Sequence, residues 1–128
     1  MPNTLSIMRL HLRYRLWIAE MNSDINVLRI LEDYLTELRA KNNEPEVKNW
    51  VEGFQGQFVN LRKEIDELRH EMHLVKMKLA AYSKEMKVLD PKTYQADNHA
   101  ALRTQYLEFR KRFDKTKKDF EEFESKWP

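Results

Sequence analysis

The chain is 128 residues long, enough for one domain with a core of its own. Its 23 basic and 21 acidic side chains leave a net charge of +2, a balance that argues against a tail built only to neutralise nucleic acid. There is no cysteine, which excludes a disulfide framework, a thiolate nucleophile and a Cys-based zinc site. Glycine and proline are scarce, at two and four, while 34% of residues are charged and 41% hydrophobic. That composition suits long helices and is too apolar to stay unfolded.

The first segment carries apolar residues in alternating steps of three and four. Ile7, Leu10, Tyr14, Trp17, Met21, Leu28, Leu31, Leu35 and Leu38 share one register, with Asp24 as its single polar member. The spacing predicts a helix over about 4–41. Residues 1–19 contain Arg9, Arg13 and Arg15 and no acid, a feature of organellar transit peptides. The apolar phase runs through that stretch without a break, so it reads as the start of a structural helix. No apolar run approaches the length of a membrane span, and the expected location is the cytoplasm.

The second segment is the most regular. From Val47, Val51, Phe54 and Phe58 to Tyr82, Met86 and Leu89, thirteen apolar positions keep the same alternation. This predicts a helix over about 45–89, roughly 65 Å long. Its start is marked by Asn43 as a cap, Pro45 in the first turn, and Glu44 and Glu46 at the positive end of the dipole. Both glycines, Gly53 and Gly56, lie inside it. A phosphate-cradling loop would need a strand before it and a Lys-Ser/Thr pair after it, and neither is present. The glycines are therefore helical, at a cost of about 1 kcal/mol each relative to alanine.

The third segment reads Leu102, Tyr106, Phe109, Phe113, Thr116, Phe120, Phe123 and Trp127. Its start is ambiguous: Asp90-Pro91 places it near 92, and Asp97 as a cap places it at 98. It ends near 127. Short breaks at 41–45 and near 90 make neighbouring helices antiparallel. The expected fold is all-α, a single elongated antiparallel three-helix coiled-coil bundle.

Pairing the helices across short turns sets Leu38 beside Val47, Tyr82 near Tyr106 and Trp127 near Leu61. In that register the third helix ends short of residues 47–58. The tip of the first hairpin is then left with more apolar surface than two helices can bury. Val27, Ile30, Tyr34, Trp50, Gly53, Gly56 and Asn60 become a candidate interface for a second copy, making a homodimer, or for another helical protein. The competing reading is that the chain covers its own tip.

Other candidates are weaker. Glu67-x-x-His70 and His70-x-x-His73 have metal-ligand spacing but lie on the solvent side of the seam, with no second such pair, so no metal is expected. Ser6, Ser23, Ser83 and Ser125 sit in no nucleophile motif, so no catalytic residue or cofactor is expected. Asp24 on the seam reads as a register-setting residue. Arg9, Arg13 and Arg15 fall at the same height as a third-segment cluster that includes Arg103, Arg110, Lys111, Arg112, Lys115 and Lys118. Together they predict a basic belt able to hold nucleic acid or an acidic lipid surface.

The stretch F-V-N-L-R-K-E-I-D-E-L-R-H-E-M (58–72), with F-Q-G-Q-F before it and the closing F-x-x-F-x-x-x-W at 120–127, resembles a set of small uncharacterised all-helical bacterial proteins. The resemblance implies a soluble bacterial helical protein and brings no site residues. In helix number and length the chain is also similar to spectrin-type three-helix repeats. The expectation is a non-enzymatic interaction or scaffold protein that self-associates through its tip. The alternative is an anion-binding module using the basic belt.

Overall fold

The computed structural model describes residues 4–84 and 96–126, with side chains placed for 7–81 and 99–126. It is all-α, with three helices: α1 (Thr4–Lys41), α2 (Pro45–Lys84) and α3 (Ala96–Lys126). At 1.5 Å per residue they are roughly 45 to 60 Å long. Residues 85–95, which hold the expected end of the second helix and the Asp90-Pro91 break, lie outside the described residues, as does Trp127.

The expected seam is the observed core. Ile7, Tyr14, Met21, Leu28 and Leu35 of α1, Val47 to Met72 and Leu79 along the α2 register, and Leu102 to Phe123 along that of α3 form one buried cluster. Between α1 and α2, Pro45 occupies the first helical position as expected. The cap itself is Glu44, whose carbonyl accepts from the Lys48 N–H at 3.0 Å. The neighbouring side-chain bond comes from Asn42, not Asn43: its Oδ1 accepts from the Glu44 N–H at 2.9 Å.

The register between α2 and α3 differs from the expected one. Arg112 pairs with Glu64, Thr116 donates to Gln57, and Phe120 stacks edge-on against Phe54. Relative to Tyr106 beside Tyr82, that is a slip of two heptads, about 21 Å along the axis. The sequence-based register came from assuming a short turn, but closure entropy grows only slowly with loop length and fixes register weakly. Packing decides instead.

The slip carries α3 over the tip. Phe120 and Phe123 close on Phe54 and Phe58, with ring centroids 5.3 to 6.0 Å apart, and Trp50 stacks on Phe54 and Phe123. Tyr34 meets Phe120 edge to face at 5.8 Å. The expectation that α3 ends short of residues 47–58 is thus corrected, and the chain covers this end itself. Pairs of this kind contribute about 0.5–1.5 kcal/mol each beyond area burial, which favours this register over one that leaves the rings in water.

Helices α1 and α3 run parallel, each antiparallel to α2. Their backbones do not come within the close approach seen for α1 with α2 and α2 with α3. Large side chains bridge the gap: Tyr14 to His99, Trp17 to Tyr106, Asp24 to Arg110 and Tyr34 to Phe120. That wedge of aromatic side chains opens a groove along one side of the bundle.

Candidate functional site

Asp24 is the one buried charged side chain among the described residues, at 5% exposure. Arg110 of α3 meets it with both terminal nitrogens, Nη1 to Oδ1 at 3.0 Å and Nη2 to Oδ2 at 2.5 Å. The guanidinium also reaches Glu20 Oε1 at 2.6 Å and donates to the Tyr106 hydroxyl at 3.2 Å, while that hydroxyl donates to Glu20. Burial works against the charge on Arg110, but the bonds to Asp24 and Tyr106 outweigh it and hold its pKa above the ordinary arginine value. Burial first, then the bond to Glu20, pushes the Tyr106 hydroxyl well above the tyrosine range. A planar fork between two carboxylates ties α1 to α3 at one height. Arg110 Nη1 also lies 3.9 Å from Asp114 Oδ1, and its buried Nε is left without a hydrogen-bond partner among the described residues.

This removes Arg110 from the basic belt. The same slip carries Lys111, Arg112, Lys115 and Lys118 toward the middle of the bundle, away from Arg9 and Arg13. Arg112 is engaged by Glu64 at 3.0 Å, whereas Lys111, Lys115 and Lys118 are exposed. The single belt expected from the short-turn register is corrected to two separate groups.

What remains at the end of the bundle is more concentrated. A groove of about 420 Å³ between α1 and α3 is lined by Arg9, Leu10, Arg13, Tyr14, Trp17, His99, Ala100 and Arg103. Three guanidiniums surround an aromatic floor, and among the described residues no carboxylate lines it. The residues 7–19 and 99–107 that supply it contain no acid. Tyr14 Oη and His99 Nδ1 are 2.5 Å apart, and burial holds the His99 imidazole below its ordinary value. Arg15, also expected at this end, is exposed and lies outside the lining. By contrast, the groove between α2 and α3 is acidic, lined by Glu64, Glu67, Glu71 and Glu108 with Arg112 at its edge.

The candidate interface residues separate into two sets. Val27 and Tyr34 pack partly against the core. Ile30 stays 65% and Trp50 49% exposed, and Gly53, Gly56 and Asn60 are exposed. A Cβ added at either glycine would meet open space. Glu67, His70 and His73 face outward, and the described residues contain no group of three side chains placed to hold a metal ion. No helix among them is long and apolar enough to cross a membrane.

Sequence reasoning missed the groove's floor and the exposed leucines beside it, Leu12, Leu16 and Leu107. Arg9, Leu12, Arg13 and Leu16 fall at i, i+3, i+4 and i+7, out of phase with the seam, and that second periodicity is the signal that could have found them. Compared with known proteins, the chain matches no family model, no curated protein and no solved structure.

Proposed function

We propose that the chain is a non-enzymatic helical interaction module that takes an anionic partner in the groove between α1 and α3. The observation that supports it is the convergence of Arg9, Arg13 and Arg103 around an aromatic floor that no carboxylate of the described residues lines. Guanidiniums stay charged at any physiological pH and hold phosphate or carboxylate oxygens without exchanging protons, so the groove favours binding over chemistry. Titration with pyrophosphate, followed on the His99 ring by NMR, tests it. A saturable shift is expected, weakened by salt and absent in Arg13→Gln/Arg103→Gln. No shift with excess pyrophosphate at low salt sinks the reading.

A second reading, self-association, keeps one supporting feature after the tip is covered. The outer side of α2 presents half-exposed Trp50 beside Gly53, Gly56 and Asn60, a smooth strip with room for a closely approaching helix. Light scattering across a concentration range separates the cases. A dimer that Gly56→Leu weakens supports this reading, and a monomer at every concentration rejects it.

A further inference from the structure

The exposed leucines beside the groove narrow the partner. Resting on the reading of the groove as an anion site, we propose that this end of the bundle seats on an anionic lipid surface, with headgroup phosphates on Arg9, Arg13 and Arg103 and with Leu12, Leu16 and Leu107 entering the interface.

The face is built from two helices. On α1, Arg9, Leu12, Arg13 and Leu16 occupy adjacent positions one and two turns apart, so their side chains share one side of the helix. On α3, Arg103 and Leu107 are one turn apart, and Arg103 lines the same groove. The leucines are 50%, 59% and 46% exposed for Leu12, Leu16 and Leu107. They fall outside the heptad seam, so packing within the bundle does not explain them. None of the three arginines forms an ion pair among the described residues, whereas Arg62, Arg69, Arg110 and Arg112 all do.

Charge and apolarity alternate on this face, which separates the candidate partners. A nucleic acid or a free phosphate is satisfied by the guanidiniums and leaves the leucines in water. A bilayer surface uses both, because its phosphates lie beside the upper part of the acyl chains, and anionic headgroups attract each nearby basic side chain. The partly buried Trp17 in the groove floor suits that boundary as well. Elsewhere the bundle discourages the same contact: the α2–α3 groove carries Glu64, Glu67, Glu71 and Glu108.

Co-sedimentation of the full chain with vesicles tests the inference. One set holds phosphatidylcholine alone, and the other includes about a third phosphatidylglycerol, the anionic component. Binding is expected only to the anionic set, falling with added salt and about fivefold for each of Arg9→Gln, Arg13→Gln and Arg103→Gln. Leu12→Gln/Leu16→Gln, with helicity checked by circular dichroism, is expected to lower vesicle binding while leaving the pyrophosphate-induced His99 shift intact. Vesicle binding unchanged in that leucine variant overturns the lipid face. A chain that shows the pyrophosphate shift, or binds a single-stranded oligonucleotide, yet ignores anionic vesicles also overturns it and leaves the anion site standing. Loss of all three responses removes both.

Discussion

At the residue scale the network around Arg110 carries the sharpest consequence. Asp24 and Arg110 satisfy each other in a place where neither would be tolerated alone. Asp24→Asn leaves the guanidinium with Glu20 and the Tyr106 hydroxyl, so the loss is partial. We expect about 2–3 kcal/mol of destabilisation by urea unfolding, toward the low end because Arg110 keeps some exposure. Asp24→Leu with Arg110→Met is expected to come within about 1 kcal/mol of the parent, since an apolar pair avoids the desolvation of two charges. A double variant as unstable as the single one would show that the pair supplies net stability, not only specificity.

His99 gives a second residue-scale expectation. Burial lowers its pKa, so the folded chain favours the neutral ring, whose Nδ1 can accept from Tyr14. A lowered folded value contributes stability that is present above the unfolded value of about 6.5 and is lost as pH falls, because the unfolded chain takes up the proton first. His11, lowered by burial and then by Arg15 and Lys76, acts in the same direction. The melting temperature should therefore drop between about pH 7.5 and about pH 5.5, and by less in His99→Gln. An equal drop in the variant would exclude His99 as a source.

At the scale of elements, the glycines of α2 are informative because nothing touches them. Gly53→Ala and Gly56→Ala place a Cβ in open space within a helix and should each raise stability by about 1 kcal/mol in chemical denaturation. A loss would point to a second chain lying against them, since none of the described residues does. The span of α1, the start of α2 and the identity of the seam were legible in the sequence, because burial along three long helices repeats at three and four; the start of α3 was not, and the described helix begins at Ala96, between the two expected positions. The register between helices was not. A heptad pattern is unchanged by a shift of seven, so slipped pairings bury seams equally well. Even the charge at Asp24 does not break the tie. Arg103, Arg110 and Lys117 are seven apart, so a slip of one heptad either way still offers Asp24 a cation. What distinguishes the observed register is the Tyr106 hydroxyl beside Arg110 and the ring cluster of Phe54, Phe58, Phe120 and Phe123. Both are non-periodic features, and both involve residues far apart in the chain. The candidate groove was legible only in part: the sequence set Arg9 and Arg13 at the height of Arg103, but the floor of Tyr14, Trp17 and His99 and the separation from Lys111, Lys115 and Lys118 follow only once the register is set.

On the scale of the whole molecule the bundle has a distinct character at each end. One end is sealed by aromatic rings. The other is pried open by them, and the gap exposes guanidiniums. Between the two, the Arg110 network pins α1 to α3 without joining their backbones closely. The parallel arrangement of those two helices also has a consequence for the order of assembly. Contacts between α1 and α2 span a short turn, whereas Asp24 and Arg110 are separated by 86 residues. The α1–α2 hairpin can close early, and α3 can add only after the chain has traversed the bundle's length and returned. During synthesis there is thus an interval in which Tyr14, Phe54 and Phe58 stand without their third-helix partners and Asp24 without its cation. That half-finished hairpin is the sticky species on the route to this fold, and it is the form a chaperone would meet.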